Sequence, residues 1–340
     1  MRVSRAFAIA CCLRANHSMP SPQSRQGDKL SAMRLAGLLL LAVAASAADQ
    51  DFNGRWDITT TGQARPRAMW LELSGMGTPN PAGKFVSAYN GDMNKVDAIA
   101  VENGELHFGF NLPSRGGKSS PSPLYRARLV NGGLEGSIDG APPVKFTGVR
   151  APVIADKDDG SWKEGKPIEL FNGKDLSGWK PLNPGAEMKW TVVDGVLRNA
   201  PPTTDLISEQ KFWNFMLHVD FRIVEHSNSG IGLRGRYEIQ ILEDFGKPPN
   251  SHGAAALYSR VPPSVNASKP AGEWQSYDIR LVGRTLTVVH NGTKVLDRVE
   301  VEGLTAIANN ADEAEPGPFI VQGDHSYVEI RKFTVTPLTK

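Results

Sequence analysis

The chain has 340 residues, enough for two domains that each bury a core. Its formal charge of +2 is concentrated at one end: residues 1–47 hold six Lys/Arg against one acidic side chain, leaving 32 basic and 35 acidic groups, a net −3, on the rest. A near-neutral, slightly acidic body has no electrostatic footprint for nucleic acid, and that class of partner is excluded.

Arg34 precedes an apolar run, Leu35 to Ala45, and Ala45-Ser46-Ala47 is a small-residue cleavage site. This pattern predicts a secretory signal peptide whose run is too short to span a bilayer, and so no transmembrane segment. Residues 1–47 are therefore read as leader and signal peptide. Met33 is the natural start, with residues 1–32 an over-extended gene model or a long leader. The expected mature chain begins near Ala48 and is exported, to the periplasm or the extracellular space. Cys11 and Cys12, the two cysteines, fall in the leader. The mature chain then has no disulfide, no thiolate metal site and no Cys nucleophile.

From about Asp49 to Arg150 the pattern is of short strands: 54–60, 68–73, 83–89, 95–101, 105–110, 124–130, 133–138 and 144–149. Asn103-Gly104 and Asn131-Gly132 are hairpin signals, and no segment sustains a helical period. Phe52-Asn53-Gly54-Arg55-Trp56 resembles the opening strand of lipocalin-like barrels, where a Trp plugs one end; the plainer reading of Trp56 is core. A small β-sandwich or barrel is expected. Residues 151–166, with Asp156-Lys157-Asp158-Asp159-Gly160 and little that is apolar, read as a linker. In the second body, 167–338, strands are expected at 190–193 and 196–198 around Asp194-Gly195. Others follow at 215–224, 234–242, 276–282, 285–290, 294–301, 319–322 and 328–336. Strands at this spacing without crossover helices imply antiparallel sheets packed as a sandwich.

Five segments of the second body, in order, carry a family resemblance: 170–179 (LFNGKDLSGW), 228–234 (NSGIGLR), 237–242 (YEIQIL), 271–274 (AGEW) and 317–325 (GPFIVQGDH). Together they resemble the 3-keto-disaccharide hydrolase domain over essentially all of 167–338. The resemblance implies an all-β, concanavalin A-like jelly roll and action on glycosides already oxidised at C3. His252-Gly253-Ala254 stands where a Thr-Gly pair is expected. The first body is not covered.

Strand parity supplies candidate residues. Tyr237, Ile239 and Ile241 form one face. Glu238 and Gln240 form the other, which is extended back to Arg236, Arg234, Gly232 and Gly230. Glycines there admit a ligand, and Arg, carboxylate and amide suit sugar hydroxyls and a carbonyl; a solvated outer face is the alternative. His252 and His325, on loops, join Glu238 as candidate catalytic groups. Arg234, Arg236, Gln240, Tyr258, Trp274, Gln322 and Asp324 are candidate substrate-binding residues, Trp274 as core or as a stacking platform. No metal signature is readable and no cofactor is certain, although His252, Glu238, Asp324 and His325 could gather a divalent metal.

The expected chemistry is glycoside cleavage. A C3 ketone acidifies the C2 hydrogen, a base removes it, the enolate expels the C1 group, and water adds to the enone. Glu238 or a His would be the base, with Arg234 and Gln240 facing the enolate oxygen. With one carboxylate on the face, elimination–addition is favoured over the two-carboxylate displacement usual in glycosidases. The alternative is a non-catalytic, lectin-like carbohydrate-binding module of the envelope, which should show several aromatics on its binding face.

Overall fold

The computed structural model describes residues 49–87, 90–112 and 119–340. The signal-peptide reading, the start at Met33, and Cys11 and Cys12 lie outside these residues, as does Tyr89. Among the described residues no helix is long and apolar enough to cross a membrane.

The first body is a closed antiparallel barrel. Its strands are β1 (Gly54–Thr61), β2 (Ala68–Ser74), β3 (Ala82–Val86), β4 (Met93–Glu102), β5 (Glu105–Leu112), β6 (Ser120–Pro121), β7 (Tyr125–Val130), β8 (Gly133–Ile138) and β9 (Val144–Arg150). The order β4-β3-β2-β1-β9-β8-β7-β5 is closed by β4–β5 pairing, with β6 appended to β5. In β5, Leu106, Phe108 and Phe110 turn inward between Glu105, His107 and Gly109. Phe85, Phe108 and Tyr125 pack ring on ring at 4.8–5.1 Å. Trp56 is fully buried in the same core, with Arg150 over its ring at 3.8 Å.

The second body follows: β10 (Lys163–Glu164), β11 (Ile168–Glu169), β12 (Trp179–Pro181), β13 (Trp190–Val193), β14 (Val196–Asn199), β15 (Leu206–Ser208), β16 (Phe215–Ile223), β17 (Asn228–Leu233) and β18 (Tyr237–Leu242). The chain ends with β19 (Gln275–Val282), β20 (Thr285–His290), β21 (Thr293–Glu300), β22 (Ile320–Val321) and β23 (Val328–Thr339). One sheet has the order β13-β14-β23-β16-β19-β20-β21, with β10 and β11 on β23; the other is β12-β15-β22-β17-β18. All pairings are antiparallel, so the expected all-β order, a small barrel and then a sandwich, is what the chain adopts.

The hairpin signals act as read: Asn103-Gly104, Asn131-Gly132 and Asp194-Gly195 take positive φ at both residues, the backbone that matches strand twist, and so does Asn291-Gly292 between β20 and β21. β16 shows strict alternation, with Phe215, Leu217, Val219, Phe221 and Ile223 buried and the residues between them half-exposed. That is a sheet with one wet face. β17 and β18 differ, because they are buried on both faces. Ile231, Ile239 and Ile241 enter the inter-sheet core. Glu238 and Gln240 lie on the opposite face, beneath loops of the sandwich and one side of the barrel.

The two bodies share no sheet, yet they are closely joined. Trp70 and Val86 of the barrel belong to the sandwich's own hydrophobic cluster. Residues 151–166 lie along the sandwich as a strap: Asp156 Oδ2 accepts from Trp213 Nε1 at 2.7 Å and Asn214 Nδ2 at 2.9 Å, and Asp158 pairs with Arg280 at 2.9 Å.

Candidate active site

The strand expected over 234–242 is shorter, and this corrects the face assignment. Arg234, Gly235 and Arg236 form the turn between β17 and β18, with φ of 51° at Arg234 and 66° at Gly235. Positive φ breaks strand parity, so neither arginine continues the face of Glu238. Arg234 is fully buried and points into the sandwich. Its guanidinium donates to Trp213 O at 2.6 Å, Gly283 O at 2.9 Å and Asn214 Oδ1 at 3.0 Å, and it stacks on Trp213 at 4.0 Å. Arg236 donates to Asn310 Oδ1 at 2.9 Å and Glu315 O at 2.8 Å. These bonds hold a strained turn and a long loop, and both side chains are buried and do not line the cavity that Glu238 faces.

Trp274 is also elsewhere. It sits between Arg222 of β16 and Arg331 of β23, with guanidinium carbons 4.8 and 4.4 Å from its ring centre. Both strands belong to the other sheet, so Trp274 offers no stacking platform to this site.

What remains gathers around a cavity of about 450 Å³ between the outer face of the β17–β18 hairpin and the barrel. Glu238, Tyr258, Gln322, Asp324 and His325 line it together. Glu238 is only 2% exposed. Its backbone is pinned on both sides, N–H to Thr305 Oγ1 at 2.9 Å and C=O from Tyr258 N at 3.0 Å. Its carboxyl lies over Gly230, where a β-carbon would stand 2.5 Å from Glu238 Oε1. The glycine parity thus has a specific purpose: residue 230 has no side chain so that the carboxyl can lie there. Gln240, behind Glu238, turns its nitrogen to the carboxyl, donating to Glu238 Oε1 at 3.3 Å and Ser229 O at 2.8 Å.

No Lys or Arg pairs with Glu238 among the described residues. Burial pushes its carboxyl up to about 8; the nearby His325 pulls the other way, while Asp205 and Asp324 add to the rise. Asp205, which the sequence did not signal, also lines the cavity and is raised to about 6, chiefly by burial. Its Oδ1 accepts from Gly323 N at 2.8 Å and so fixes the loop that carries Asp324 and His325. His325 Nδ1 hydrogen-bonds Asp324 Oδ1, and that bond raises the imidazole's pKa. Burial keeps the Tyr258 hydroxyl protonated, up to about 12. Gln322 Oε1 is buried and has no hydrogen-bond partner among the described residues, leaving an acceptor for a ligand.

His252 lies beside this group and not in it. Its Nε2 meets Asp92 Oδ1 of the barrel at 2.8 Å and its ring packs edge-on to Tyr258 at 5.0 Å. The gathering of His252 with Glu238, Asp324 and His325 around a metal is not found. Among the described residues no three His, Cys, Asp or Glu side chains come together to hold one.

The model of the 3-keto-alpha-glucoside-1,2-lyase-like domain family matches residues 166–336. The chain belongs to that family. The matched stretch contains Glu238, Asp205 and the 323–325 loop and excludes the whole barrel. A curated 3-keto-disaccharide hydrolase from Bacteroides thetaiotaomicron is 25% identical, over 38% of this chain and 57% of the relative, so the alignment spans little more than half of that protein. Crystal structures of two candidate glycosyl hydrolases from Parabacteroides distasonis cover 51% of this chain. One is 26% identical with a TM-score of 0.45 over 89% of its length; the other is 22% identical with a TM-score of 0.42 over 94%.

Proposed function

We propose that this chain is an exported enzyme that cleaves glycosides already oxidised to a ketone at C3, by elimination followed by hydration. One observation carries the mechanism: a buried carboxyl that no Lys or Arg pairs among the described residues opens on a polar cavity, in a domain of a keto-glucoside lyase-like family. An unpaired buried acid is costly to a fold, and such groups concentrate where basicity is used. Glu238, as carboxylate, takes the proton from C2. The Tyr258 hydroxyl, which stays protonated, donates to the developing enolate oxygen. His325, held by Asp324, protonates the departing C1 oxygen. Water adding to the enone at C1, with return of a proton to C2, completes hydrolysis.

Asp205 is a second carboxyl in the cavity, but its bond to Gly323 N ties it to holding the loop. Elimination–addition therefore remains favoured over displacement by two carboxylates. A purely binding site needs aromatic platforms more than a strong base. Tyr258 is the one aromatic that lines this cavity among the described residues, which weighs against the lectin-like reading. Export rests on Arg34, the Leu35–Ala45 run and Ala45-Ser46-Ala47; mass spectrometry of the secreted chain should find its N-terminus near Ala48.

The deciding assay is incubation of the purified chain with a 3-keto-disaccharide and with its unoxidised parent, each with and without chelator. Cleavage of the keto sugar alone is expected. Equal turnover of the parent would reject the keto-dependent route, and binding of either sugar without turnover would favour the lectin-like module.

A further inference from the structure

The family's matched stretch begins after the barrel, yet the barrel walls the cavity. The β1–β2 loop contributes Arg65 and Arg67, and the segment after β3 contributes Ser87 and Asn90. The contact is built in. Gly91 fits so tightly that a β-carbon there would stand 2.4 Å from Ala306 Cβ, and Met93 N donates to Ser259 Oγ at 3.0 Å.

Arg65 reaches across the mouth of the cavity to hydrogen-bond Asn183 Oδ1 of the sandwich. Burial lowers its pKa and the neighbouring Arg67 lowers it further, while Asp205 and Asp324 across the cavity pull it back up, so the two like charges feel each other and also the cavity's carboxylates. Neither guanidinium is in a salt bridge among the described residues. Among the described residues, Arg55, Arg126 and Arg128 of the barrel are matched, with Glu72 at 2.9 Å, Asp139 at 3.2 Å and Glu105 at 3.2 Å, and Arg150 is taken up by the Trp56 ring. Two adjacent arginines at the rim of a cavity, with Asp205 and Asp324 near Arg65 but no carboxylate in ion-pair contact with either guanidinium among the described residues, present planar donor forks shaped for an oxyanion.

We propose that the barrel is part of the active site, and that Arg65 and Arg67 form a subsite selecting glycosides whose leaving group carries an anionic oxygen group, a carboxylate or a phosphate. This rests on the reading that the oxidised ring sits over Glu238. The volume of 450 Å³ falls within the roughly 300–1,000 Å³ of sites that enclose drug-sized ligands, which leaves room for a leaving group beyond one sugar ring. The catalytic carboxyl and the selecting cations then come from different bodies of the chain.

Two measurements on the full chain test this. The first compares kcat/KM for the 3-keto-glucoside of 4-hydroxybenzoate with that of its methyl ester, in wild type, Arg65→Ala, Arg67→Ala and Arg67→Lys. The ratio of acid to ester should fall about 10-fold or more in each Ala variant, the usual worth of a charge-assisted bond, through KM more than kcat. It should survive in Arg67→Lys and shrink with added salt in wild type. The second measures binding of D-glucuronate, D-glucose 6-phosphate and D-glucose by calorimetry. Tighter binding of a charged sugar, lost in both Ala variants, supports the subsite and tells carboxylate from phosphate. If keto-glycosides are cleaved but the acid-to-ester ratio is the same in all four proteins and the charged sugars bind no better than glucose, the subsite is refuted while the proposed function stands. If no keto-glycoside is cleaved yet charged-sugar binding disappears in the Ala variants, the subsite stands and the proposed function fails.

Discussion

Gly230 and Glu238 occupy one space: the carboxyl of one fills the position where the other would carry a β-carbon, 2.5 Å from Oε1. Gly230→Ala should therefore push the carboxyl out of place. Turnover of a 3-keto-disaccharide is expected to fall at least ~10-fold, with an overpacking cost of about 1–3 kcal/mol. Kinetics and thermal unfolding together check this; wild-type turnover would show that the placement of the carboxyl is irrelevant to catalysis.

Glu238→Gln preserves shape and removes basicity. Its kcat should fall ~10²–10⁴-fold while substrate binding changes little. In the wild type, kcat/KM should rise with pH up to about 8 as the carboxyl ionises, and the variant should lack that limb. Stability has the opposite sign. The folded pKa lies above the ordinary 4.5, so the contribution is full below that value and is lost as pH rises through about 8. Denaturant titrations should find Glu238→Gln gaining on wild type as pH rises from 5 to 9. An unchanged difference across that range would show that Glu238 is not desolvated.

Arg234→Ala should act on folding. It removes the buried cation with its three hydrogen bonds, taking a donor from the Trp213 and Gly283 carbonyls, while Asn214 keeps its bonds to Asp156 and Gly283 N. A loss of about 3 kcal/mol or more is expected, by analogy with other buried charged networks. Arg236→Ala should be milder but of the same kind. Trp274→Ala should leave keto-sugar turnover near wild type. A large rise in KM for Trp274→Ala would return that residue to the substrate.

The contact between barrel and sandwich should itself respond to pH. Asp57 of β1 is raised to about 9, first by burial and then by Glu313, which it hydrogen-bonds as a neutral acid. Burial also works to raise Glu313, but the Arg284 guanidinium, 2.8 Å away, holds it below its ordinary range. Between its ordinary 3.8 and about 9, folded Asp57 keeps a proton that the unfolded chain has lost. Its stabilisation is therefore complete below pH ~4 and is lost as pH rises toward 9. Asp57→Asn should flatten this dependence in thermal unfolding above pH 6; a slope equal to wild type would place the proton elsewhere.

The all-β architecture and three hairpins were legible because Asn-Gly and Asp-Gly pairs specify their own backbone, whatever surrounds them. Glu238 and Gln240 were legible by parity within a real strand. The same parity misplaced Arg234 and Arg236, because Arg234 takes a positive φ that side-chain type does not announce; only Gly235 between them marked the turn. Trp274 misled because an aromatic beside glycine reads alike whether sugars or arginines cover it. Asp205, Thr305, Arg65 and Arg67 could not be found locally. Each reaches the cavity through contacts more than 20 residues away along the chain, and no spacing rule records those.

Trp70 of the barrel presses its ring onto the backbone at Gly303, where a β-carbon would come within 2.3 Å of the indole. The contact acts as a key and its slot. If the proposed subsite is right, exchange of the barrel for another, with the join in residues 151–165, would leave the family-matched stretch intact and change which leaving groups it accepts, provided the newcomer brings a flat ring to the same spot. On the subsite proposed above, selectivity would be inherited on a module separate from catalysis, and the Trp70 indole, with Gly91 and Met93, would decide which modules fit.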